Sequence, residues 1–276
     1  MKRFKFFGFC FVVCLCLASC RRGDLVIVYT NDTHSQVEVC GGKNAGLGGY
    51  VQRAGVIDSL RTLYPDMLLF DAGDFSQGSP YFNLYRGRVE VQGYNQMGYD
   101  VVTFGNHEFD NGLDTLAARL REARFDVVCC NYDVRGTVLE GLVKRAVVIK
   151  RGGWKVGVLG LGVSPESLIS AVNFGGIRYL DPIVEANACA DSLKRECGCD
   201  VVVALSHLGS EYEDGGVPSD VLLAEQSRSI DVILGGHTHQ LVKKRCANLN
   251  GDSVLLLQNG KSGAYLSKVV IGDERN

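Results

Sequence analysis

Short apolar runs recur along the chain, separated by stretches whose apolar positions repeat with a helical period. The run LVIVYT at 25–30 predicts a first strand, and after a Gly-rich loop the spacing predicts a helix over 51–63. A second strand at 67–70 stops at Asp71-Ala-Gly-Asp. A helix over 89–97 then leads to a strand at 101–104, a helix at 113–123 and a strand at 127–130. Further strands are expected at 155–159, 201–205 and 232–234, with helices at 184–194 and 221–226 between them. Runs without polar alternation belong to strands covered on both faces, and their alternation with helices predicts an α/β layered fold. Strands at 254–258 and 266–271 have no helix between them, so mixed sheets are expected. Residues 36–49 and 243–252 read as loops. No Pro- or Ser-rich linker and no internal repeat interrupts residues 25–272, which predicts one domain.

The first twenty residues depart from this pattern. Lys2, Arg3 and Lys5 precede an apolar run of 13 residues from Phe6 to Ala18. This order reads as a secretory signal, and the run is shorter than the roughly 20 residues of a membrane span. It ends in Leu17-Ala18-Ser19-Cys20, which resembles the bacterial lipobox, whose cysteine is lipidated and becomes the first mature residue. The expectation is therefore residues 1–20 as a signal with lipobox. The exported lipoprotein would be held to a membrane by acyl chains at Cys20, facing the periplasm or the cell surface.

Cleavage before Cys20 leaves 26 Lys+Arg against 31 Asp+Glu, a net charge of −5. No basic tract offers a face to a polyanion, so a nucleic-acid polymer is not an expected partner. Of the 11 cysteines, Cys40, Cys129, Cys130, Cys189, Cys197, Cys199 and Cys246 remain after Cys20. An exported location permits disulfides, although sequence cannot give the pairing. Cys197-Gly-Cys199 has no second pair or nearby histidine to complete a zinc set, so buried or bonded thiols are expected.

Chemistry collects at strand ends. The first strand ends in Asn31-Asp32-Thr33-His34, the second in Gly73-Asp74 and the third in Gly105-Asn106-His107-Glu108-Phe109-Asp110. Later strands end in Ser206-His207 and in Gly235-Gly236-His237-Thr238-His239. In open α/β sheets the carboxyl edge of the strands is where ligands bind. Each motif alone is weak, since a single strand-end histidine is commonly a hydrogen-bonded loop residue. Together they offer histidines and carboxylates without sulfur, a set for Zn, Mn, Fe or Co and not for a closed structural zinc site. Extended backbone would point Asp32 and His34 to one side, and likewise His237 and His239. Glycines beside Asp74, Asn106 and His237 leave room for sharp turns.

In order and spacing, Asp32-x-His34, Gly73-Asp74, Gly105-Asn106-His107-Glu108, His207 and Gly236-His237-x-His239 resemble the calcineurin-like metallophosphoesterases. The strings YTNDTH, DAGDFSQGSPY, MGYDVVTFGNHEFDNG and DVILGGHTHQ are similar to the 5′-nucleotidase branch in particular. The resemblance implies an α-β-β-α sandwich with mixed sheets over residues 25–272. It also implies two divalent cations: Asp32, His34 and His239 on one, Asn106, His207 and His237 on the other, and Asp74 bridging. A hydroxide between the cations would attack the phosphorus of a small phosphorylated substrate, a nucleotide above all. His107 would be the catalytic histidine, with Asp110 orienting its ring; Asp110 is also placed to cap a helix beginning near Gly112.

Members of this branch also carry a C-terminal domain that grips the nucleoside. The expectation here is that this domain is absent and that a separate chain supplies it. A cyclic-nucleotide phosphodiesterase or UDP-sugar pyrophosphatase would use the same motifs, and a non-catalytic surface lipoprotein would have lost some of them. Tyr81, Phe82 and Tyr85 follow the Asp74 motif and are expected more in the core than against substrate.

Overall fold

The apolar runs fold as two mixed sheets laid face to face. In the computed structural model, which describes residues 22–272, the first sheet has four parallel strands: β1 (Leu25–Thr30), β2 (Leu68–Asp71), β3 (Val101–Val102) and β4 (Asp126–Val127). β13 (Ser267–Ile271) lies antiparallel beside β1. In the second sheet β7 (Trp154–Leu161), β9 (Val201–Ser206), β10 (Val232–Gly235) and β12 (Ser253–Asn259) are parallel. Antiparallel β6 (Ala146–Arg151) and β11 (Leu241–Ala247) bound it. β5 (Tyr132–Asp133) and β8 (Arg178–Tyr179) form a small separate ribbon. The helices are α1 (Tyr50–Leu63), α2 (Pro80–Tyr85), α3 (Arg88–Met97), α4 (Leu113–Leu120), α5 (Ala171–Phe174), α6 (Pro182–Arg195) and α7 (Asp220–Gln226). No described helix is long and apolar enough to cross a membrane.

Three apolar clusters define the layers. Between the sheets, Leu25, Ile27 and Phe70 meet Val156, Val158 and Val203. On the outer face of the first sheet, Val26, Val28 and Leu69 pack against Ile57 of α1, Val91 of α3 and Leu116 of α4. Outside the second sheet, Val202, Ala204 and Ile233 pack against Ala186 and Leu193 of α6 and Leu223 of α7. Successive residues of β1 thus enter different interfaces, which is why its sequence shows no polar alternation. Each buried aliphatic side chain contributes roughly 1.5–3 kcal/mol of transfer free energy, so both faces of these strands stabilise the fold. The result is the expected single-domain α-β-β-α sandwich.

Two local expectations change. The strand expected at 127–130 leaves the first sheet early: Val128 N–H still donates to Val102, but Cys130 N–H donates to Gly160 of the second sheet. Residues 243–252, read as a loop, include most of β11. Its Lys243, Lys244 and Arg245 are exposed, so an apolar period is missing, and such charges on an edge strand deter pairing with other chains.

Register decides where the loops meet. Thr30 lies beside Asp71, Asp71 beside Val102, and Ser206 beside Gly235. The carboxyl ends of β1, β2 and β3 therefore line up in one sheet, and those of β9 and β10 in the other.

Candidate metal centre

The strand-end residues converge on two adjoining carboxylates. Asp32 Oδ1 is 3.3 Å from His239 Nε2 and 3.8 Å from both His34 Nε2 and His207 Nε2. His34 Nε2 and His239 Nε2 are 2.9 Å apart. Asp74 Oδ2 lies 3.1 Å from His207 Nε2, while Asp74 Oδ1 accepts from the His107 N–H at 2.9 Å. Three overlapping groups each have all ligand atoms within 4.8 Å of one another: Asp32, His34 and His239; Asp74, His207 and His237; His34, Asp74 and His107. All three are free of cysteine. Asp32 and Asp74 are almost wholly buried.

Two buried atoms test whether cations fit. Asn106 Oδ1 makes no hydrogen bond, and His207 Nε2 faces only the carboxylates of Asp74 and Asp32. Leaving a buried acceptor such as Asn106 Oδ1 bare costs about 1–3 kcal/mol, and a cation is a partner for both lone pairs. His207 Nδ1 donates to the Ala72 carbonyl at 2.7 Å, which directs Nε2 into the site as an outer partner does for a metal-ligating histidine. Without a cation, burial disfavours a charged His207, but Asp74 and Asp32 outweigh it and lift its pKa to about 10. A proton then stands where a cation would. Burial, and after it the His207 charge, push His237 down to about 4, leaving it neutral and able to ligate. These oxygen and nitrogen donors suit divalent first-row cations.

The backbone corrects one expectation. Asp32, His34, Asp74, His237 and His239 are not extended: their φ angles are +48°, +44°, +53°, +76° and +56°. The side chains converge through left-handed turns and not through strand periodicity. Each such residue stores on the order of 1–3 kcal/mol, so the surroundings must hold it. Here Asp32 N–H donates to Gly73 O at 2.9 Å and His34 N–H to Asp74 O at 3.0 Å. Close approach explains the glycines. A Cβ on Gly105 would lie 2.1 Å from Asp74 Oδ1, and one on Gly73 would lie 2.5 Å from Gly105 N.

Three polar side chains hold these turns, and sequence reasoning assigned none of them a role. The Glu108 carboxylate accepts from the N–H groups of Gly105, Ser76 and Asp74 at 2.7, 3.0 and 3.1 Å. It joins the loop of Asp74 to that of Asn106. Gln258 Nε2 donates to Gly236 O at 2.6 Å, and its Oε1 accepts from Gln240 N at 2.6 Å and Thr238 Oγ1 at 3.0 Å. Asn31 Nδ2 donates to Asp32 Oδ2 at 2.6 Å, and Asn31 Oδ1 accepts from Asn259 N at 3.0 Å. The available signal was position alone, since Gln258 ends a parallel strand as the histidines do.

His107 Nδ1 and Asp110 Oδ2 are 2.9 Å apart, both partly exposed. Burial works against charge on His107, but the Asp110 bond and the Asp74 charge lift its pKa above the usual value. Asp110 makes no cap: Gly112 stands at the start of α4 without a side-chain hydrogen bond. Of Tyr81, Phe82 and Tyr85 only Phe82 is core; Tyr85 is exposed, and the Tyr81 hydroxyl donates to Glu38 at 2.7 Å. Cys20 lies outside the described residues.

Comparison with known proteins follows the same lines. The curated relatives include a probable 5′-nucleotidase of Treponema pallidum, 32% identical over 88% of this chain and 42% of its own length. A snake venom 5′-nucleotidase of Naja atra is 32% identical over 78% of this chain and 41% of its own. The chain thus spans about two fifths of the length of these relatives. Among solved structures, the 5′-nucleotidase precursor of Thermus thermophilus is 30% identical with a TM-score of 0.78, over 90% of this chain and 54% of that one. Residues 25–241 match the family described as calcineurin-like phosphoesterase, nearly the whole span that builds the two sheets and delivers every histidine of the site, and the chain belongs to that family.

Proposed function

We propose that this chain is a two-metal phosphoester hydrolase that releases phosphate from nucleotides. Asp32, His34 and His239 hold one cation, Asn106, His207 and His237 the other, and Asp74 serves both. The observation that carries the reading is the overlap of ligand groups, within 4.8 Å each, around Asp74 and beside the His107–Asp110 pair. When bound, the cations supply Lewis acidity that neutralises phosphoryl oxygens and makes water a nucleophile near neutral pH. Asp110 engages Nδ1 of His107, so Nε2 is the ring atom available to the substrate. His107 there stabilises charge on phosphoryl oxygen and delivers a proton to the leaving group. Nucleotide substrates are supported by the relatives, which carry the name 5′-nucleotidase.

The same proposal places the mature chain outside the cytoplasm, tethered through Cys20. It is supported by the basic and apolar order of residues 2–18 and by the word precursor in the name of the Thermus thermophilus relative.

The test joins metal analysis to phosphate release from nucleoside monophosphates, cyclic nucleotides and UDP-sugars. About two equivalents of bound metal and highest kcat/KM on a monophosphate are expected. His107→Asn should lower kcat by about 10²–10⁴ with metal content unchanged, whereas Asp74→Ala should lose metal. An Asp74→Ala chain that behaves like wild type would sink the two-metal reading.

A further inference from the structure

Cys130 follows β4 where the chain crosses from the first sheet to the second, and Cys189 stands on α6. Both belong to the apolar cluster under α6, with Cys130 fully buried and Cys189 8% exposed. Their thiols lie close enough for each to shift the other's ionisation. Arg145 spans the pair: Nη1 donates to Cys130 O at 2.8 Å, and Nη2 to Cys189 Sγ at 3.5 Å and Glu185 Oε2 at 2.5 Å. Nothing in the metal chemistry uses these groups.

We propose that Cys130 and Cys189 are a disulfide-forming pair, oxidised by exchange with a small-molecule or protein disulfide. Cys189 of α6 is the attacking sulfur. Its thiolate attacks one sulfur of the oxidant and displaces the other as a thiolate. Cys130 then gives its proton to solvent, attacks Sγ of Cys189 and expels the second oxidant sulfur. One S–S bond forms in the protein, one breaks in the oxidant, and two electrons pass to the oxidant, which leaves as two thiols. Burial of both sulfurs places the exchange before α6 docks on its sheet. The bond fastens α6 to the segment that crosses between the sheets, and closes a loop long enough to constrain the unfolded chain substantially.

The experiment refolds the purified chain in a reduced and oxidised glutathione buffer. It is then quenched with acid, alkylated with N-ethylmaleimide and digested, and linked peptides are sequenced by fragmentation to separate Cys130 from Cys129. The expected product is a Cys130–Cys189 link as the main disulfide. Reduction should lower Tm by on the order of 10 °C in wild type and in Cys246→Ser, with no such shift in Cys189→Ser or Cys130→Ser. Recovery of both residues as alkylated thiols, or of Cys189 linked to Cys129, overturns the proposal. Peptide mapping of wild type decides the matter even if a serine variant does not fold.

Discussion

Asp71 sits behind the metal loops, with Oδ2 accepting from Thr30 Oγ1 at 2.6 Å and Tyr94 Oη at 2.9 Å, and Oδ1 from Gly73 N at 2.9 Å. Burial overrides these bonds and lifts its pKa from 3.8 to about 7. The folded chain therefore keeps a proton that the unfolded chain releases across that window. Stability from Asp71 is full below pH 4 and falls as pH rises to about 7, by at most ~4 kcal/mol. In denaturant titrations, wild type should lose stability more steeply than Asp71→Asn between pH 4 and 7. Parallel curves would refute this. At this scale the sequence showed which residues bear the chemistry, because histidine and aspartate declare their donors by type. It did not show Glu108 or Gln258 as holders of turns, because an acceptor's role depends on which N–H groups the fold brings to it.

Turns, not strands, aim the ligands, and the element most exposed to perturbation is the loop pair around Asp74 and Asn106. Gly105→Ala places a methyl group 2.1 Å from Asp74 Oδ1. It should destabilise the chain by about 1–3 kcal/mol and weaken metal binding. Gly215→Ala, whose Cβ meets nothing within 4 Å, should stay within about 0.5 kcal/mol of wild type. Equal melting and equal metal affinity of the two variants would show that Gly105 is not a close-approach position. The central strands were legible because a run such as Val201–Leu205 is apolar on both faces. β11 was not, because an exposed edge strand carries no apolar period, and β4 appeared longer because Cys129 and Cys130 are apolar but bond elsewhere.

Taken whole, the site is a seam between the two sheets: Asp32, Asp74 and Asn106 follow strands of the first, His207, His237 and His239 strands of the second. A cation bound there would join the two sheets and would bind the folded chain in preference to the unfolded one. At a hundredfold excess over Kd such binding adds about 2.7 kcal/mol, or roughly 5–10 °C in Tm for a chain of this size. Scanning calorimetry should show that loss on chelation by EDTA and a smaller EDTA effect in His207→Ala, which keeps the Asp32, His34 and His239 group; a wild-type Tm indifferent to EDTA would count against a cation at the seam. By itself the sequence determined the α/β alternation, the two-sided burial and the donor types at strand ends. Those follow from local period and side-chain chemistry, which neighbouring residues carry. Only the tertiary structure decided the left-handed turns, the clamps and the Cys130–Cys189 contact. These rest on pairs far apart in the chain, as when Asn31 meets Gly260 across 229 residues, and such closure is set by how the layers stack.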